Sequence, residues 1–155
     1  MPGRLEQVWR KRFRRGPMDS VASASLQPGR GLGDSADAGG KRQVTILSAE
    51  RWRRISDQLG VALDPRVRRA NLLVSGVDLE RSTHRVLRIG PCRVRIVGET
   101  RGCERMDEAH PGLLAALDPP WAGGAFGEVL DGGDIAVGDA VHWEDAEESP
   151  GADAG

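Results

Sequence analysis

The chain has few cysteines and few aromatic residues. Its 155 residues include two cysteines, two phenylalanines and no tyrosine. Two thiols do not make a disulfide scaffold, and the sequence has neither a CxxC pair nor a Cys/His cluster with zinc spacing. These absences exclude the disulfide-rich class of small domains and argue against a structural zinc site.

Long apolar runs and an excess of one charge are also missing. No apolar run approaches the roughly 18 residues that a membrane span needs, and none follows the basic N-terminus as it would in a secretory signal. The net charge is −1, so no overall field attracts nucleic acid. We therefore expect a cytoplasmic protein that binds neither membrane nor nucleic acid.

Several common catalytic patterns are absent as well. The glycine-rich segment 29–33 lacks the spacing of either phosphate-binding loop. The three histidines, His84, His110 and His142, are scattered along the chain. Nothing in the sequence order therefore predicts a Ser-His-Asp triad or a pair of catalytic carboxylates.

Glycine and proline are abundant, with 21 and 9 residues, and apolar residues recur in short runs. This pattern is typical of short strands joined by glycine-rich turns. It predicts a mostly β fold, a barrel with one or two short α-helices. The predicted strands are residues 5–9, 21–26, 44–47, 71–75, 86–89, 92–97, 126–130, 135–137 and 141–143, of which 126–137 form a hairpin.

One clear helix is predicted between Ser48, a candidate N-cap, and Gly60, a candidate stop. A second, short helix is predicted at 110–117, and a long loop at 27–40. In the strand at 92–97, Cys92 shares the apolar face and the alternate arginines share the other face. Cys92 is therefore predicted to be a structural core residue.

The two ends of the chain differ in charge. Residues 1–16 have a net charge of +5, but Leu5, Val8 and Trp9 within them predict a buried first strand. Residues 144–155 contain five acidic and no large apolar residues. The sequence therefore predicts one domain at 1–143 and a disordered acidic tail at 144–155.

Cys103 is the strongest candidate for chemistry. It lies in a glycine-rich loop that follows a strand, between Arg101 and Arg105. Nearby cations lower the pKa of a thiol and make it a better nucleophile or soft-metal ligand. A small buried side chain is the ordinary alternative for a free cysteine, and the residues alone leave the two readings open.

A second candidate is Arg69-Ala70-Asn71, which precedes a predicted strand. The arginine offers a planar fork for phosphate, and the asparagine offers both a donor and an acceptor. Taken alone, this tripeptide is more typical of an exposed arginine and a turn asparagine.

Together these pieces resemble the MOSC family, named for the C-terminal domain of molybdenum cofactor sulfurases. The resemblance extends from residue 3 to about 143, and its specificity comes from the order of the pieces. They are Arg15-Gly16-Pro17-Met18, Gly31-Leu32-Gly33-Asp34, Lys41-Arg42-Gln43-Val44-Thr45, Arg69-Ala70-Asn71-Leu72, Ser75-Gly76-Val77-Asp78-Leu79, Leu87-Arg88-Ile89-Gly90, Gly98-Glu99-Thr100 through Cys103, Gly132-Gly133 through Ile135, and Val137-Gly138-Asp139.

The resemblance implies a β-barrel that handles the molybdenum cofactor, molybdopterin, or its sulfur. The position of Cys103 implies a molybdenum ligand in amidoxime-reducing members and a persulfide carrier in sulfurase-type members. Some MOSC domains follow a pyridoxal-phosphate desulfurase domain, which this chain lacks. The implied cofactor-binding residues are Arg69, Lys41 and Arg42 for the pterin phosphate, Asn71 and Thr100 as hydrogen-bonding groups, and Arg101 beside the cysteine.

Three functions follow from the resemblance. The leading one is reduction of N-hydroxylated compounds with a separate electron donor protein, and the second is sulfur transfer from a separate cysteine desulfurase through Cys103. The third is a non-catalytic domain that only binds a ligand or partner. It is suggested by Gly102, where many relatives have proline, and by Ser35-Ala36-Asp37, where many have a basic residue or histidine.

Overall fold

The computed structural model describes residues 3–13, 16–33, 35, 43–101 and 105–144, except for the side chain of Arg105. Three α-helices and a 3-10 helix (Pro65–Arg68) accompany the strands in these ranges. The α-helices are α1 (Ala49–Leu59), α2 (Arg105–Ala109) and α3 (Leu113–Ala116). The strands are β1 (Gly3–Lys11), β2 (Met18–Val21), β3 (Ser23–Gln27), β4 (Gly31–Leu32), β5 (Val44–Ser48), β6 (Leu72–Ser75), β7 (Val86–Ile89), β8 (Cys92–Glu99), β9 (Ala125–Asp131), β10 (Gly133–Ala136) and β11 (Ala140–Trp143).

Seven of the described strands form a closed barrel in the order β11-β7-β8-β9-β5-β6-β1, because β1 also pairs with β11. One edge of β1 is divided between two partners: Gly3 and Arg4 pair with β11, and residues 8–11 pair with β2. Its other edge pairs with β6. Strands β10, β3 and β4 form a separate small sheet. The mostly β barrel predicted from the sequence is confirmed.

Two apolar cores lie on the two faces of the barrel wall. Alternation along the strands places Ile46 and Leu72 in the interior core and Leu47 and Leu73 in a second, outer core. The outer core also contains Trp9 together with residues from all three α-helices.

Helix α1 has the ends that the sequence predicted. The Ser48 hydroxyl accepts a hydrogen bond from the Arg51 N–H at 3.2 Å, and Gly60 ends the helix with a left-handed φ of 72°. Trp52 and Ile55 are buried beneath it. No helix in the described part of the chain is long and apolar enough to cross a membrane.

Two predictions about strand pairing were wrong. Strand β10 pairs with β3 and not with β9, because β5 and β8 already occupy both edges of β9. The predicted strand at 21–26 is two strands in different sheets, separated at Ala22. The alternation is interrupted at the adjacent apolar residues Val21 and Ala22, but no glycine or proline marks a turn there.

The predicted helix at 110–117 is shorter than expected. Helix α3 begins only at Leu113, and α2 ends at Ala109. The break contains Pro111, which has no N–H to donate, and Gly112, which has a left-handed φ of 90°. The sequence predicted that Leu113, Leu114 and Leu117 would be buried; Leu113 and Leu117 are buried, whereas Leu114 is half-buried.

Glu144, which the sequence placed in the acidic tail, belongs to the barrel. Its side chain is 1% exposed and accepts hydrogen bonds from Arg93 Nε at 2.8 Å and Arg88 Nη2 at 2.9 Å. The bonds from Arg93, followed by those from Arg88, hold the pKa of Glu144 below its usual value despite burial. Residues 145–155 lie outside the described residues, and their disorder stays a prediction.

We expect Glu144→Gln to lower the free energy of unfolding at pH 7 by about 1.5–3 kcal/mol, the range for hydrogen bonds to a charged group. A lowered folded-state pKa stabilises the fold above the unfolded-state pKa of about 4.3, and this contribution is lost as the pH falls through the folded-state value. In urea unfolding experiments, the free energies of unfolding of the variant and the wild type should therefore become equal at acidic pH. The exposed Glu80→Gln is the control, and equal stability at pH 7 would contradict the prediction.

Candidate functional site

The connection between β8 and α2 carries Cys103. Residues 102–104 lie outside the described residues, but both flanks are placed: Thr100 and Arg101 follow the end of β8, and Met106 lies in the first turn of α2. Cys103 precedes Met106 by three residues in the chain. The predicted site residues Lys41 and Arg42 also lie outside the described residues.

Thr100 fastens the start of this connection to the wall. It is 6% exposed, its hydroxyl donates to the Gly123 carbonyl at 2.7 Å, and its N–H donates to the Gly124 carbonyl at 2.9 Å. Arg68 completes the arrangement, because Nη2 donates to the Thr100 hydroxyl at 3.1 Å and Nε to the Gly123 carbonyl at 2.9 Å. The hydroxyl proton of Thr100 is therefore used in a hydrogen bond within the protein.

Arg68 is the residue that sequence reasoning missed. Arg68 and Arg69 are adjacent in the sequence, but the prediction named only Arg69, and it is Arg68 that turns towards Thr100. That depends on the backbone of Arg69, which ends the 3-10 helix with a left-handed φ of 65°. A left-handed arginine is uncommon and leaves no pattern in the sequence.

Glu99 joins the other side of the connection to the loop before β9. Its carboxylate accepts a hydrogen bond from the Trp121 N–H at 2.7 Å and forms an ion pair with Arg101 at 3.3 Å. The Arg101 side chain is 69% exposed, so solvent screens this pair strongly. Arg101 is thus an exposed cation two residues before Cys103 in the chain, and its role toward the cysteine stays a prediction.

Asn71 is committed to the barrel wall. Its side-chain oxygen accepts hydrogen bonds from the Thr45 N–H and hydroxyl, both at 3.1 Å, and its amide nitrogen contacts the Trp9 carbonyl at 3.4 Å. Its own N–H donates to the Thr45 carbonyl at 3.0 Å. Asn71 therefore ties the start of β6 to β1 and β5, and its position is fixed by these bonds.

A cleft of about 430 Å³ lies between the β1–β2 turn, the 3-10 helix and α2. Arg69 lines it, two residues before Asn71, and Met106 lines the wall nearest Cys103 in sequence. Arg69 thus shares a cleft with Met106, which follows Cys103 by three residues in the chain. The lining residues are Pro17, Met18, Asp64, Arg66, Val67, Arg69, Met106, Glu108 and Ala109.

Cys92 is a core residue, as the sequence predicted. It is 1% exposed and belongs to the interior core. Burial, together with Asp134, Asp139 and Asp131, raises the pKa of its thiol to about 11. Within the described ranges, no three His, Cys, Asp or Glu side chains come together as a metal site.

Comparison with known protein families identifies the family of this chain. The model of the MOSC domain matches residues 33–142, a span that includes β5 to β10, Arg69 and Cys103. The chain belongs to the MOSC domain family. No curated protein matches this MOSC domain.

Solved structures show the same fold. YuaD from Bacillus subtilis is 19% identical with a TM-score of 0.73, over 91% of this chain and 94% of that one. YiiM from Geobacillus stearothermophilus is 14% identical with a TM-score of 0.75, over 94% and 76%. YiiM from Escherichia coli is 13% identical with a TM-score of 0.67, over 92% and 70%. At these identities the likeness establishes the MOSC fold alone.

The two cysteines give an internal comparison of reactivity. We expect iodoacetamide to label Cys103 at pH 6.5 and to leave Cys92 unmodified, because a thiol with a pKa of about 11 has almost no thiolate there. Mass spectrometry of the peptides at successive times gives the two rates. If Cys103 reacts no faster than an ordinary thiol of pKa about 8.5, the cysteine is not activated.

Proposed function

We propose that this MOSC domain is a cytoplasmic, molybdenum-cofactor-dependent reductase of N-hydroxylated compounds, supplied with electrons by a separate protein. The observation that supports this proposal is the cleft lined by Arg69 and Met106. Met106 follows Cys103 by three residues in the chain. A volume of about 430 Å³ lies in the range of small-molecule sites.

The described side chains suit the anionic and apolar parts of such a cofactor. Arg69 and Arg66 line the cleft and carry guanidinium groups of the kind that bind phosphate. Met18 and Met106 provide apolar walls, and both belong to the outer core that contains Trp9. The buried indole N–H of Trp9 has no acceptor among the described residues. Trp9 is fully buried and does not line the cleft, so this donor lies outside the candidate site.

Each residue then has a distinct task. The Cys103 thiolate is the soft ligand that holds molybdenum, and Arg69 binds the pterin phosphate together with Lys41 and Arg42. Thr100 and Asn71 act as positioning residues, because their hydrogen bonds fasten the segments that carry Cys103 and Arg69. When bound, the cofactor supplies two-electron chemistry. The overall reaction takes R–NHOH, two electrons and two protons to R–NH₂ and water.

Arg69→Ala tests the phosphate-binding role. We expect the variant, purified from cells that make the cofactor, to retain about tenfold less pterin, since a hydrogen bond to a charged group contributes about 1.5–3 kcal/mol. Fluorescence of the oxidised pterin released on denaturation measures the retained amount. Arg53→Ala, an exposed arginine on α1, is the control, and equal retention by both variants would contradict the role.

Sulfur transfer is separated from reduction by a different readout. The metal-free protein is incubated with a cysteine desulfurase and cysteine, and Cys103 is examined by mass spectrometry for one added sulfur atom. In that reaction the desulfurase persulfide passes its outer sulfur to the Cys103 thiolate and leaves as a thiolate. If Cys103 forms a persulfide and the chain retains no pterin, the proposed function would be sulfur transfer and not reduction. If the protein forms no persulfide and retains no pterin, the non-catalytic binding domain would be the remaining hypothesis.

A further inference from the structure

The turn that joins β1 to β2 exposes an aromatic side chain among arginines. Phe13 is 57% exposed, although burial of a phenylalanine is strongly favoured in a monomer. Its ring is not on a loose tail: the Arg12 N–H donates to the Pro17 carbonyl at 3.1 Å, and the Gly16 N–H donates to the Phe13 carbonyl at 2.7 Å. We call the described residues 10–13 and 16–19 the basic hairpin.

Gly16 holds the ring in place. A Cβ atom at this position would lie 2.5 Å from the Phe13 ring, so the ring rests directly on the glycine. Gly16 is followed by Pro17 and Met18, which line the cleft. Two of the residues that line the cleft therefore follow directly in the chain on the glycine that contacts the exposed ring.

The described residues of the basic hairpin carry an excess of positive charge. Arg12 binds Asp19 through Nη2 at 2.6 Å and Nε at 3.1 Å, and Arg10 and Arg66 also lie close enough to act on that carboxylate. The hydrogen bond from Arg12, then the charges of Arg12, Arg10 and Arg66, lower the pKa of Asp19. The basic hairpin thus carries three cations, Arg10, Lys11 and Arg12, against one carboxylate, Asp19, and Arg66 lines the cleft together with Arg69, Asp64 and Glu108.

We infer that the basic hairpin is the docking surface for an acidic electron-carrier protein, with Phe13 as its apolar anchor. The inference rests on the proposed reductase, which needs its donor close to Cys103. An aromatic anchor within a rim of charges is the usual anatomy of a contact surface. Redox partners form small interfaces and are steered by opposite charge, and one ring with three cations suits such a contact. A membrane with anionic lipids is the competing occupant.

The test is binding of the full-length protein to an acidic flavodoxin at low ionic strength, measured by titration calorimetry. Phe13→Ala and Arg12→Gln are expected to weaken binding about tenfold each, as loss of an interface anchor does. Salt at about 0.2 M should weaken wild-type binding further. Basic cytochrome c should not bind. Val61→Ala and Arg53→Gln, an exposed apolar residue and an exposed arginine elsewhere, are the matched controls and should bind as the wild type does.

Three results would overturn the docking surface. They are no binding of flavodoxin, equal binding by Phe13→Ala and wild type, and binding to phosphatidylserine vesicles in place of flavodoxin. The pterin and molybdenum measurements are separate from this one. A chain without cofactor that still binds flavodoxin through Phe13 would retain the docking surface and lose the reductase.

Discussion

Deletion of residues 1–16 is expected to prevent folding or to lower the thermal midpoint by more than about 10 °C. Strand β1 pairs with β11, β2 and β6, so its loss opens the barrel and exposes unpaired edges. Leu5, Val8 and Trp9 are fully buried. Truncating a buried Trp alone costs about 3–5 kcal/mol, a large part of the roughly 5–15 kcal/mol that a domain has.

The matched control is deletion of residues 145–155, which keeps Glu144 and its two arginine partners. We expect this variant to melt within a degree or two of the full chain, because the acidic segment has no large apolar side chain with which to offset the entropy of ordering it. A deletion of 1–16 that melts with the wild type would show that β1 is dispensable. Trp9→Ala provides an intermediate case within an intact strand.

Replacement of Cys103 by Ala is expected to lower reduction of an N-hydroxylated amidine to below about one-hundredth of the wild-type rate. Loss of a group that acts directly on the reacting centre reduces rates by factors of about 10² to 10⁴. The amine product is measured with cofactor-loaded protein and a reduced dye as the electron source. Cys92→Ala is the control, because Cys92 lies in the interior core, and it should lower stability more than activity.

The main features of the fold could be predicted because local patterns carry them. The caps of α1 at Ser48 and Gly60 and the alternation from Cys92 to Ile96 are local, and both match the structure. The pairing of β10 with β3 was not predictable, because it depends on which strands already occupy β9. Sequence order favours the nearest strand as a partner, and here both edges of that strand were taken.

The candidate site was predictable only in part, for a related physical reason. The resemblance implied Arg69 and Thr100 as cofactor-binding residues, but nothing in the sequence indicated Arg68, whose side chain bonds to Thr100. Its contact with Thr100 joins residues 32 apart in the chain and depends on the left-handed backbone at Arg69. Likewise, an acidic run without apolar residues suggested that Glu144 was solvated, whereas two arginines on β7 and β8 bind it.

The most direct test of the account is the molybdenum content of the protein purified from cells that make the cofactor. Elemental mass spectrometry should give a substantial fraction of one metal ion per wild-type chain, the same for Cys92→Ala, and about tenfold less for Cys103→Ala, since loss of a soft ligand weakens the site. Circular dichroism would confirm that the variants are folded. Less than about one-tenth of a metal ion per wild-type chain, unchanged by Cys103→Ala, would contradict the proposal that this MOSC domain holds molybdenum through Cys103.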